Sequence, residues 1–524
     1  MVKYPVTGFD RMAYDIAVIG GGHNGLVAAC YLAKAGLKVI VLERRHIVGG
    51  CVVSEELFPG YTINVYGFEH YLIHLTPIIS DLELARFGLE YYSVDPVMFS
   101  PFPDGKYMLF YRDLKKTVKF IEKFSSHDAK AYEEFAGYWS EVNQLLGAAS
   151  LAPPVSLSTL VSMMSGPEAE EVIRSILLSV RQLLDETFET EYVKAPIAFL
   201  GPAAVGVSPS TKGTGWMAGW HLGATNIMRP KGGSGKLTQA LAACFKSLGG
   251  TIINNASVKS ILVRDNQVKG VELEDGKRIE TTIVVSNVDP KTTLLKMVGE
   301  SNLDDETRRK ANRIRVANGI AMKADFALNE LPDYKCLPGK NIGPCHTAAI
   351  YIAPSLDYIE NAYSEYESGV PPKEPALMVA THSATDSTLA PPGKHTLVLE
   401  TRYTPYDLST NENWDDIKER EAQKLVDVFA EYAPNVRSAI TASYVESPVD
   451  WERKVGMPRG NFLQCDMTLD QMFAFRPFIG GSGYRMPIKG LYLCGSGTHP
   501  GGGISGAPGY NAARVVLADF GKVT

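Results

Sequence analysis

Cysteine is scarce in this chain: seven among 524 residues, at positions 30, 51, 244, 336, 345, 465 and 494, with no C-x-x-C pair. That excludes a redox dithiol, and the scattered spacing excludes a dense disulfide framework, so a reducing compartment is expected. Basic charge is not in surplus either. Fifty-two Lys and Arg face 58 Asp and Glu, a formal net charge of -6, which argues against nucleic acid as the main partner. Uninterrupted apolar runs of membrane-spanning length are also missing. The longest apolar stretch, Ile16 to Gly36, is broken by Gly20-Gly21-Gly22, His23, Asn24 and Lys34, and reads as strand, turn and helix. The leader Met1 to Met12 has no apolar segment of the secretory kind. A cytoplasmic protein is expected, with room for a peripheral membrane contact through the apolar stretch Ser156 to Met164; a core helix reads that stretch equally well.

What is present begins at Tyr14 to Ile19, a β-branched apolar run suited to a central parallel strand. Gly20, Gly22 and Gly25 follow with G-x-G-x-x-G spacing: a tight turn, a place for backbone to approach a pyrophosphate, and close packing of helix on strand. The helix expected over Asn24 to Ala35 aims its free N–H groups at that pyrophosphate, and Gly36 stops it. A second strand, Leu37 to Leu42, ends at Glu43, the acceptor a ribose diol requires.

The remainder selects FAD over NAD. A strand at Leu491 to Leu493 runs into C-G-S-G-T-H-P-G-G-G-I-S-G and a helix expected over Ala507 to Asp519, whose N-terminus could face a reduced flavin. Between the two glycine junctions, an amphipathic helix at Lys236 to Leu248 precedes strands at Thr251 to Ile253, Val258 to Val263, Val268 to Leu273 and Ile279 to Val285. The fold expected is α/β: a discontinuous, glutathione-reductase-like FAD-binding Rossmann domain from 12–74, 229–291 and 465–524. An α+β substrate domain is inserted as 75–228 and 292–464. The first insertion reads as mainly helical, with helices at Asp128 to Leu146 and Glu168 to Phe188; the second carries a helix at Asp415 to Tyr432.

The segments Ile19 to Ala29, Glu43 to Gly50 (E-R-R-x-x-V-G-G), Arg229 to Gly235 (R-P-K-G-G-S-G) and Gly490 to Gly506 resemble the phytoene desaturase-like flavoprotein family over nearly the whole chain. With Asp466 to Met472 (D-M-T-L-D-Q-M), the wording is most similar to FAD-type β-carotene ketolases. It also resembles carotenoid desaturases, carotenoid isomerases and the animal pyridine nucleotide-disulphide oxidoreductase domain-containing branch. Beyond Gly20, Gly22, Gly25 and Glu43, the resemblance implies cofactor contacts at Arg44, Gly49, Gly50, Val258, Gly495, Thr498, Gly503, Ile504 and Ser505. In place of the acidic residue of more distant flavoproteins after the last strand stand Ser496, Gly497 and Thr498.

His23 and Asn24, inside the first glycine loop, are expected on the cofactor side. His23 and His499 fit equally as hydrogen-bonding spacers. His70 and His74 share i, i+4 spacing, but no third ligand follows, so no metal site is expected. No acid–base pair is visible and no catalytic side chain is singled out. Hydride removal from, or oxygen insertion beside, a C–H bond of a lipophilic polyene is expected, with oxygen or a quinone as electron acceptor and ketolation as the leading reaction. Desaturation and isomerisation are the alternatives within the class, and a catalytically silent flavin-bearing scaffold is the alternative outside it.

Overall fold

A computed structural model describes residues 14–522 apart from 157, 160–161 and 163–166. The leader and most of Ser156 to Met164 therefore lie outside the described residues. Five parallel strands, β1 (Ile16–Ile19), β2 (Val39–Leu42), β3 (Thr251–Ile253), β4 (Val284–Ser286) and β5 (Leu491–Leu493), form a sheet in the order β5-β4-β1-β2-β3. Alternation of side chains sends Ile16, Val18, Val39 and Val41 to one face and Ala17, Ile19, Ile40 and Leu42 to the other. On the first face pack α1 (His23–Lys34), α2 (Lys236–Ser247) and α3 (Ala507–Asp519); on the second, the antiparallel meander Val258–Arg264, Gln267–Leu273 and Arg278–Glu280. The sheet is buried on both sides, which is why its strands read as unbroken apolar runs.

The run read as one strand, Ile279 to Val285, is two. Arg278–Glu280 closes the meander, Thr281 Oγ1 donates to the carbonyls of Asp15 (2.9 Å) and Ile283, and Val284–Ser286 joins the parallel sheet beside β1. The helix expected over Glu168 to Phe188 is likewise two, Pro167–Leu177 and Val180–Thr187, because Ser179 caps the second by accepting the Gln182 N–H. The other helices appear at Ser126–Ser150 and Trp414–Tyr432.

The two insertions share one seven-stranded mixed sheet, ordered 440–446, 321–328, 395–402, 377–380, 349–352, 98–101, 107–110. The first insertion is thus not only helical: Met98–Pro101 and Tyr107–Phe110 edge this sheet, and Tyr91–Ser93 pairs with Met228–Pro230. These strands have only three or four residues, too short for a period of two to stand out in sequence. One cross-strand row, Tyr351–Met378–Glu400–Lys323–Glu446, lies in register across five neighbouring strands and therefore on one face. Three of its members, Tyr351, Met378 and Glu400, form part of the cavity wall described next.

Candidate active site

A cavity of about 490 Å³ runs between the parallel sheet and the seven-stranded sheet. At one end is the first glycine turn. Helix α1 starts at Gly22 with no side-chain cap, so its N-terminal N–H groups and their partial positive charge are offered to a ligand. A side chain on these glycines would crowd the turn. A Cβ on Gly22 would lie 2.7 Å from Asn287 Nδ2, and one on Gly25 would lie 2.2 Å from the Gly20 carbonyl oxygen. The buried Glu43 carboxylate accepts the N–H of Gly21 on Oε2 and of Arg45 on Oε1, each at 2.8 Å, and keeps lone pairs for a diol. Ala256, Ser257, Val258, Lys259 and, from the π-type helix Thr292–Gly299, Thr292, Lys296 and Met297 line the same end.

The C-terminal glycine loop meets the first one directly. His23 Nε2 lies 3.2 Å from the Gly503 carbonyl oxygen, which assigns the proton to Nε2. Burial is the larger influence on this ring and takes its pKa down to about 4, the Gly503 contact opposing, so the imidazole is neutral at pH 7. Behind the loops, Gln464 donates to Asn287 O (3.0 Å) and accepts from Gly497 N–H (2.8 Å). Arg476, fully buried, gathers the loop by donating to the carbonyls of Ser496, Thr498, Leu463, Cys465, Asp466 and Gln471.

Of the residues expected on the cofactor, Gly20, Gly22, His23, Asn24, Glu43, Arg44, Gly50, Val258, Gly503 and Ile504 line this one cavity. Gly25, Gly49, Gly495, Thr498 and Ser505 stand behind its wall. Gly25 and Gly49 sit against backbone carbonyls, Gly495 has Gln464 and Asn287 within 2.8 Å of where a Cβ would be, Thr498 Oγ1 donates to Gly495 O, and Ser505 Oγ accepts the Ala507 N–H. The start of α3 does not reach the cavity. At Gly506 (φ +72°) the chain packs on Val27, Ile73 and Ile78, and Ser496, Gly503 and Ile504 supply that part of the wall. His499 points away too, with Nε2 at 3.2 Å from Ala149 O. His70 and His74 do not share a helix; His70 bridges Tyr91 Oη (3.0 Å) and Ser234 Oγ (2.7 Å), and His74 sets its ring edge-on to Tyr91.

Sequence reasoning passed over Asn287, Gln464 and Arg476. For Asn287 a signal existed, since it directly follows a short parallel strand, at the carboxyl end where ligands of open α/β sheets bind. The aromatic and aliphatic part of the cavity wall was also passed over. It comprises Tyr66, Phe68, Tyr71, Leu72, Ile227, Tyr351, Met378, Trp451 and Phe462, with the ion-paired Glu400 and Arg402 among them. Cys51 is the single cysteine in the wall, and burial pushes its thiol up to about 12. The uncapped helix, the glycine cradle, Glu43 and a second glycine loop at one cavity fit a flavin dinucleotide.

Residues 18–77 match the family described as NAD(P)-binding Rossmann-like domain. Over 97% of this chain and 94% of the relative, the sequence is 32% identical to the protein of Mus musculus called "Pyridine nucleotide-disulfide oxidoreductase domain-containing protein 2". It is 28% identical to a subunit of the limonene dehydrogenase of Castellaniella defragrans, covering 97% of this chain and 95% of that one. With the lycopene-forming phytoene desaturase of Pseudescherichia vulneris it shares 26% identity, over 93% and 96% of the two chains. A solved structure of putrescine oxidase with putrescine bound, 16% identical, has a TM-score of 0.61 over 97% of this chain and 99% of that one, a likeness of fold. The chain belongs to the phytoene desaturase-like family of FAD-dependent oxidoreductases.

Proposed function

We propose that the protein dehydrogenates a lipophilic isoprenoid, taking a hydride from an allylic C–H bond held against the aromatic and aliphatic wall while the neighbouring carbon releases its hydrogen as a proton to water. The observation that carries this reading is the continuity of one cavity from the two glycine loops, joined at His23 and Gly503, to the walls of Tyr66, Phe68, Leu72, Tyr351, Trp451 and Phe462. Bound FAD supplies a two-electron acceptor there. The chain supplies an apolar wall that strips water from the reacting carbon, and a neutral His23 that ties the two loops together. Disulfide chemistry does not enter the proposal, because the one wall cysteine has no thiol partner in the cavity and stays protonated.

Two of the relatives are named for removing hydrogen from hydrocarbons and none of the three for inserting oxygen. That moves the proposal from the ketone formation expected from sequence to dehydrogenation, with carotenoid-type polyenes one substrate class and oxygen or a quinone the final acceptor. The test is mixing of the FAD-loaded protein with isoprenoids, without air for the flavin spectrum and in air for mass analysis of the product. Bleaching of the flavin near its oxidised visible band with loss of two hydrogens supports dehydrogenation. A mass gain of oxygen for two hydrogens restores ketolation, and an isomer of unchanged mass overturns both.

A further inference from the structure

Three of the described arginines line the cavity: Arg44 donates to Arg453 O and Arg45 to Glu55, and Arg402 is the one whose hydrogen bonds include no oxygen acceptor, unlike the buried Arg229 and Arg476. Arg229 spends Nε and Nη2 on both oxygens of Glu69 at 2.6 to 3.2 Å and Nη1 on Thr347 O at 2.7 Å. Arg476 donates to backbone carbonyls from all three nitrogens. Arg402 has one hydrogen bond, from Nη2 to the Met378 thioether at 3.6 Å, where sulfur is a weak acceptor. Its Nη1 approaches Glu400 Oε1 at 2.5 Å as an ion pair, yet this buried nitrogen has no aligned hydrogen-bond partner. The Phe462 ring lies 5.5 Å from Cζ and covers the guanidinium. Arg402, Glu400, Met378 and Phe462 all face the cavity, and the Arg402 side chain is 12% exposed.

An ion pair beside an apolar chamber costs desolvation that a hydrocarbon could not offset, and a guanidinium with five donors and no aligned oxygen is a site for one. We infer that the substrate bears an acceptor oxygen, a carboxylate or a carbonyl, which Arg402 receives while the rest of the molecule lies along the aromatic wall. Arg402 is then a specificity-determining residue, and the substrate is an oxygenated lipophile, not a bare hydrocarbon. This rests on the reading of the same cavity as the site of C–H oxidation.

The test uses the FAD-loaded protein and three ligands with one C15 skeleton: farnesoic acid, farnesal and farnesene. Binding is read as perturbation of the flavin spectrum, and dehydrogenation as anaerobic flavin bleaching. Farnesoic acid, farnesal or both should bind at least about ten-fold more tightly than farnesene, with the acid favoured if the native group is a carboxylate. Arg402→Leu should bring the three together, and Arg402→Lys should keep part of the preference; flavin content and melting temperature show that each variant is folded. Equal binding of all three to the wild-type protein overturns the inference and leaves C–H oxidation standing. Selective binding of the acid or aldehyde that Arg402→Leu abolishes, without bleaching by any ligand, supports the inference and overturns that reading. Binding of none overturns both.

Discussion

Replacing Gly25 by alanine should cost the protein its cofactor, because the space for a methyl group at this position belongs to a backbone carbonyl. The new Cβ would stand 2.2 Å from Gly20 O and 3.2 Å from Asn287 Cβ. Ordinary van der Waals contact requires the helix start and the turn to separate by at least about 1 Å. Overpacking of that kind costs about 1–3 kcal/mol. If the strain falls on the geometry that cradles the pyrophosphate, FAD affinity drops roughly 5- to 150-fold. Gly22→Ala is the graded control: its Cβ meets Asn287 Nδ2 at 2.7 Å, the end of a side chain that can swing aside. A second change, Asn287→Ala, should therefore restore part of the affinity of Gly22→Ala and none of that of Gly25→Ala. The assay is FAD affinity by flavin fluorescence quenching, with the flavin-to-protein ratio after desalting. A Gly25→Ala protein with full flavin and unchanged affinity would refute the reasoning.

Three further outcomes are expected. Arg476→Lys should lower the melting temperature and the flavin content, since an ammonium cannot serve the carbonyls that the fork gathers and each orphaned one costs about 1–3 kcal/mol; differential scanning fluorimetry that finds an unchanged midpoint would count against it. Glu43→Ala should weaken FAD binding more than Glu43→Gln, because the amide oxygen can still accept one of the two backbone N–H groups; equilibrium dialysis ranks the two. Acid should destabilise the protein well above the range in which carboxylates titrate. Burial holds His23 and His499 near 4 and His70 and His221 near 3, against 6.5 when exposed, so between those values the unfolded chain binds protons the native one lacks. Stability is then lost as pH falls from 6.5, by up to about 1.4 kcal/mol per unit for each histidine. Asp325, whose burial pushes it up to about 7, opposes this by holding a proton in the native state. Urea midpoints at pH 7 and pH 5 check the sign, and a midpoint that rises in acid contradicts it.

The parts of the site legible in sequence are those where one local requirement names its residue. Gly20, Gly22 and Gly25 were readable because a positive-φ turn and two close approaches favour glycine, and Glu43 because it ends a strand at a set distance from them. The sheet strands were readable because burial on both faces leaves only apolar residues. Breaks inside elements were less so: Thr281 ends one segment through a hydrogen bond to Asp15, remote in sequence, whereas Ser179 opens a helix by accepting the Gln182 N–H three residues on.

Tertiary structure alone decided which remote residues share a wall. His23 and Gly503 stand 480 positions apart and meet at 3.2 Å; Gln464 and Asn287 are separated by 177 positions and meet at 3.0 Å. The apolar lining comes from the first nucleotide-binding segment and from both insertions, and Tyr351, Met378 and Glu400 face it together only because three strands pair in register. Local chemistry acts within a few bonds of the chain, so it specified the turns and strands one at a time. Which turn faces which, and what fills the space between, follows from burying these elements against one another, a property of the whole chain that no single segment carries.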